Sequence, residues 1–102
     1  MRKNKRNRTP SAATIVKTLL AHDWDYTKGA SKSAHGSVAR AAIKKARKAL
    51  PEHPANECFS ENGRSVYLSN EFNETVLVPL QTNVAPKALY HIERITGLDF
   101  NS

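Results

Sequence analysis

The sequence predicts an α+β fold: two N-terminal helices, a small three-stranded antiparallel sheet, and a C-terminal helix packed on the sheet. Three features carry that reading. Apolar residues recur at helical spacing in the first half, at Ile15, Val16, Leu19 and Leu20 and again at Ala39, Ala42, Ile43, Ala46, Ala49 and Leu50. Between residues 64 and 80 the pattern changes to strand-like runs punctuated by turn residues. Helical spacing then returns at Leu89, Ile92 and Ile95. A chain of 102 residues suits one domain with a modest core.

Taken in order, residues 1–10 (MRKNKRNRTP) place five basic residues in the first eight and nothing apolar after Met1. Charge repulsion and the lack of anything to bury predict a disordered basic arm, leaving residues 11–102 as the α+β domain. Thr9 or Ser11 can cap the first helix, which fades near His22. Trp24 and Tyr26 alternate with Asp23 and Asp25, a pattern open to a short extended piece or a turn. Residues 27–37 form a linker of small residues with two glycines and three serines. A second helix over about residues 38–50 is capped by Ser33 or Ser37 and stopped by Pro51 and Pro54.

Strands are expected at residues 57–60, 64–69 and 75–80, with Asn62-Gly63 as a tight turn. Thr75-Val76-Leu77-Val78-Pro79-Leu80 is apolar on both faces, which predicts the most buried strand. Asn83 is the expected cap of a last helix that accepts Pro86 in its first turn and stops at Gly97. Leu98 and Phe100 can then fold back onto it.

The charge distribution says more about function than any motif does. The first fifty positions hold thirteen of the sixteen Lys and Arg residues against only Asp23 and Asp25, a balance of +11. The remaining positions hold Arg64, Lys87 and Arg94 against seven acids, a balance of −4. A concentrated positive surface attracts polyanions and releases counterions on contact, which points to nucleic acid, DNA or RNA, as the partner. The sharpest element is the second helix. Arg40, Lys44, Arg47 and Lys48 recur along one face with Lys45 beside them, and no acid occurs between Asp25 and Glu52. With Arg2, Lys3, Lys5, Arg6 and Arg8 of the arm and Lys28 and Lys32 of the linker, they make the predicted phosphate-binding set.

Other chemistry finds little footing. A single cysteine, Cys58, excludes an intrachain disulfide and four-cysteine metal sites, and reads as a small core residue. Neither it nor His22, His35, His53 and His91 fall at metal-ligand spacing, so no metal and no cofactor are expected. His35, in a Gly- and Ser-rich loop beside basic residues, is the one candidate for acid–base work on a phosphodiester. Residues 28–33 (KGASKS) lack the glycine that must directly precede the lysine of a phosphate-binding loop. Trp24 and Tyr26 could stack on bases, although a Trp after an amphipathic helix more often closes a core. No run approaches the roughly 18 apolar residues of a membrane span, and no apolar signal segment follows the basic start. A cytoplasmic protein without membrane contact is expected.

The strand Thr75-Val76-Leu77-Val78-Pro79 leading into residues 85–98, where Leu89, Ile92, Gly97 and Leu98 are spaced along a helix, resembles the HicA family. Ile15, Leu19 and Trp24 suit that family's opening helix and aromatic. The resemblance implies a double-stranded-RNA-binding-like fold and, in the family, mRNA cleavage by a toxin of a toxin–antitoxin pair. Its catalytic His falls where this chain has Lys32, with His35 three positions on, and the helix at 38–50 would be an insertion. The functional expectation is therefore a non-enzymatic nucleic-acid-binding protein, regulatory or architectural. Two alternatives stand beside it. One is a small phage-type regulator that binds a host protein through its acidic half (Glu57, Glu61, Glu71, Glu74), and the other is a HicA-like ribonuclease.

Overall fold

A computed structural model describes residues 9–29 and 36–100. Its elements run α1 (Ala12–Ala21), β1 (Asp25–Tyr26), α2 (Ser37–Ala49), a 3₁₀ turn (Asn56–Cys58), β2 (Ser65–Ser69), β3 (Thr75–Pro79) and α3 (Pro86–Thr96). The α+β class, three helices and a three-stranded antiparallel sheet are as expected, but the two N-terminal helices are not consecutive. A strand, β1, lies between them.

Ser11 caps α1, its hydroxyl accepting the Thr14 N–H. The helix ends in a reversal. Asp23 takes a left-handed conformation (φ 70°), and the Trp24 N–H returns to the Leu19 carbonyl at 3.0 Å. That reversal turns Trp24 into the core, where it is only 5% exposed. It also delivers Asp25 and Tyr26 to pair with Ser69 and Leu68 at the edge of β2. Thr27 extends the pairing through its N–H to the Tyr67 carbonyl at 3.1 Å.

The sheet order is β1-β2-β3, antiparallel throughout. Val66 faces Val78 and Leu68 faces Val76, and all four are buried. With Ile15, Val16 and Leu19 of α1 and Leu89 and Ile92 of α3 they form the core, so both helices lie on one face of the sheet. Removing these aliphatic side chains from water together supplies the main driving force for folding.

Four expectations are corrected here. Residues 57–60 do not form a strand: after Pro54 the chain makes the 3₁₀ turn, and only Phe59 bridges to Val66. The Asn62-Gly63 turn still forms, held by Gly63 N–H to Ser60 O at 2.9 Å. Thr75–Pro79 is an edge strand rather than the most buried one, with Leu77 outward and 44% exposed. Its run looks doubly apolar, yet among the described residues no helix covers the sheet face that carries Leu77. The cap of α3 is Ala85 rather than Asn83, and it makes no side-chain cap bond. Ile95 is 43% exposed, because the chain returns past Gly97 and buries Phe100 instead.

Gly97 is left-handed (φ 74°), as a helix stop requires, and the Phe100 N–H is held by the Glu93 carboxylate at 3.1 Å. Thr9 and Pro10, counted with the arm in the sequence, are tied to the loop before α3. The Thr9 hydroxyl donates to the Val84 carbonyl, and the Val84 N–H to the Pro10 carbonyl at 3.0 Å. No helix among the described residues is long and apolar enough to cross a membrane.

Candidate nucleic-acid interface

The helix α2 is built from five alanines, five cations and one large apolar anchor, Ile43. Ala, Lys and Arg are among the best helix formers, so this segment is helical on its own propensity more than through burial. Its N-cap is Gly36, with no side-chain cap bond, in place of the expected serines. Arg47 and Lys48 sit in its last turn, where cations suit the carbonyl end of the helix dipole.

Packing divides the helix lengthwise into three sides. Ala39 and Ile43 are buried, and Leu50 continues that line beyond the helix end. Gly63 sets how closely this side can approach. It is left-handed (φ 73°), and a Cβ there would stand 2.8 Å from the Ala39 carbonyl oxygen. The Asn62-Gly63 turn therefore presses its backbone directly on α2, and only glycine meets both requirements.

The second side is the outward one. Arg40, Lys44 and Lys48, at i, i+4 and i+8, form a single exposed row about 12 Å long at 1.5 Å per residue. Arg47 does not belong to that row. It is half-buried, and its Nε is buried without a hydrogen-bond partner among the described residues. Lys45 is exposed on the neighbouring flank.

The third side was read from helical spacing as part of one apolar face with Ala39, Ile43 and Leu50. Ala42, Ala46 and Ala49 line an open groove of 590 Å³ between α2, the start of α1 and the ends of β2 and β3, and Ala46 also packs against the core. Lys45 stands on one wall and Arg64 also lines it; Ser11, Gln81 and Thr82 add polar groups, and Leu80 and Leu50 add apolar surface. Among the described residues no carboxylate lines it. Sequence reasoning missed Arg64 and the groove, though a signal existed: methyl groups at 42, 46 and 49 are too small to fill the space beside a helix.

The acids gather elsewhere. Asp23, Asp25, Glu52 and Glu71, with Leu20 and Trp24, line a separate cleft of 480 Å³. Two come from the basic half of the sequence and two from the acidic half, so the fold sorts charge differently from the chain. Glu57, Glu61, Glu71 and Glu74 are all exposed, and only Glu71 joins this cleft. Among the described residues no group of His, Cys, Asp and Glu is placed to hold a metal ion.

Of the remaining candidates, Lys28 is exposed at the start of the linker. Arg2, Lys3, Lys5, Arg6, Arg8, Lys32 and His35 lie outside the described residues. Trp24 is buried, so its ring face is not available for stacking, and Tyr26 is half-buried. Tyr26 donates its hydroxyl to the Pro51 carbonyl at 2.7 Å, linking β1 to the segment after α2. Burial, reinforced by nearby Glu52, holds that hydroxyl protonated well beyond the ordinary phenol range. Cys58 is buried, and burial with Glu57 beside it raises its thiol pKa as well, which makes it a poor nucleophile. His22 and His53 bond to helix carbonyls, Thr18 O at 2.9 Å and Arg47 O at 3.1 Å.

No protein-family model, curated protein or solved structure matches the chain.

Proposed function

We propose that this protein binds nucleic acid, DNA or RNA, through the outer side of α2, in a regulatory or architectural role without catalysis. The observation that carries the reading is the exposed Arg40–Lys44–Lys48 row with Lys45 beside it, on a helix that contains no acid. Solvated helix faces usually mix signs, whereas this one sets several cations along successive turns, as phosphate tracking requires. The separate position of the acidic cleft supports the same reading, since its carboxylates do not line the groove beside that face. The arm cations, Lys28 and Lys32 would add backbone contacts, and the setting we propose is cytoplasmic.

Filter binding at low salt with single-stranded RNA, duplex RNA and duplex DNA tests this. The parent should retain at least one of the three. Replacing Arg40, Lys44 and Lys48 with Gln should weaken the bound species by about tenfold or more, because three cations no longer neutralise phosphates. Absence of binding to all three ligands would remove the proposal.

A further inference from the structure

The groove beside the basic row has a shape and lining that the row does not account for. It measures 590 Å³, in the range of small-ligand sites, and it is open along α2 from Ala42 to Leu50. Its floor is apolar: three alanine methyls on α2, with Leu50 and Leu80. Its polar groups are mainly donors. Lys45 and Arg64 carry positive charge, and the Gln81 carboxamide oxygen already accepts the Ala85 N–H at 3.0 Å, which leaves the amide NH₂ to donate. Ser11 and Thr82 add hydroxyls. Lys45 belongs to both features, since it is exposed next to the row and lines the groove.

Resting on the proposed function, we propose that the groove receives an unpaired base of a single-stranded nucleic acid whose phosphates follow Arg40, Lys44 and Lys48. A ring face would lie on the alanine wall, and a carbonyl-bearing base edge would meet the donors of Arg64 and Gln81. The charge and donor lining selects this occupant. An apolar peptide face would leave those donors unpaired, whereas thymine or uracil presents two carbonyl oxygens to them. A duplex keeps its bases stacked and paired, so it can use the row but not the groove. The protein would thus prefer single strands, and the preference would reside in the groove alone.

Fluorescence anisotropy of the full chain tests this with a short oligothymidylate, the same strand carrying abasic sites, and a duplex of equal length. The parent should bind oligothymidylate more tightly than the abasic strand by about fivefold or more, as one net hydrogen bond to the base edge contributes. Filling the groove with the neutral double change Ala42→Leu and Ala49→Leu should remove that advantage and leave duplex binding unchanged. Arg64→Gln, at an exposed position, should reduce the advantage too, and it decides the matter if the double variant loses its helical circular dichroism. Equal affinity for oligothymidylate and its abasic form overturns the groove proposal while leaving the phosphate row intact. No binding to any of the three overturns both. Groove-dependent capture of an acidic amphipathic peptide, with no base preference, would assign the groove to a protein partner and overturn it as well.

Discussion

The helices α1 and α2 are similar in length but held in place by different forces. In α1, Thr14, Ile15, Val16 and Thr18 are β-branched and indifferent helix formers, and the element exists because Ile15, Val16 and Leu19 are buried against the sheet. In α2 the sequence itself favours the helix, and burial amounts to Ala39 and Ile43. A helix that needs little of its surface for the core has the rest available. The contrast therefore separates an element the fold depends on from one that the fold carries, with its outer row turned to solvent and its alanine side bordering an open groove.

The largest effect should come from α1. Leu19→Ala removes a fully buried side chain at the helix-ending reversal, where the Leu19 carbonyl holds the Trp24 N–H. We expect a loss of about 3–4 kcal/mol, read by urea or thermal unfolding, with every element melting together. Gly63→Ala should act more locally. The new methyl meets both an unfavourable φ and the Ala39 carbonyl, at a cost of about 1–2 kcal/mol. Amide exchange should quicken in α2 while α1 amides keep their protection; equal loss in both would mean that α2 is part of the core unit after all.

The smallest effect concerns the tie between β1 and the segment after α2. The Tyr26 hydroxyl and the Cys58 thiol both titrate higher in the fold than in the unfolded chain. Their contribution to stability is then complete below the ordinary values of 9.0 for the thiol and 10.0 for the phenol, and is lost as pH rises beyond them. The melting temperature should be level from neutrality to about pH 9 and fall above it. A double variant, Tyr26→Phe with Cys58→Ala, should fall less steeply over the same range.

Much of the secondary structure was legible because it is written locally. The spacing of Ile15, Val16 and Leu19, the Ser11 cap, the Asn62-Gly63 turn and the proline stop after residue 50 each need only a few neighbours. The burial of Trp24 and Cys58 followed from residue type. What could not be read was pairing. The two residues of β1 carry no periodic signal, and they become a strand only because the turn at Asp23 places them beside β2. Residues 57–60 had the composition of a strand but lost that place to β1, and Leu77 shows that an apolar run does not reveal how many faces will be covered.

The site was legible to the same degree. The basic side of α2 came directly from i, i+4, i+8 spacing, while Arg47 was placed on it because a stripe drawn from sequence cannot tell the flank that turns into the protein. Ala42, Ala46 and Ala49 were grouped with Ala39, Ile43 and Leu50 on one apolar face because helical spacing alone does not separate them. Only the packing of the folded chain shows that they border an open groove, with Ala46 resting on the core as well.

The salt dependence of binding tests the central claim most directly. For the preferred nucleic acid, log affinity should fall linearly with log salt concentration. Each neutralised duplex phosphate contributes about −0.9 to the slope, and each single-strand phosphate about −0.7. Three phosphates met by Arg40, Lys44 and Lys48 therefore amount to about −2.7 on duplex or about −2.1 on single strands. The account predicts that the Gln triple variant, still folded and with α2 intact, loses that much of the parent slope. A variant that binds with the parent's affinity and an unchanged slope would contradict it.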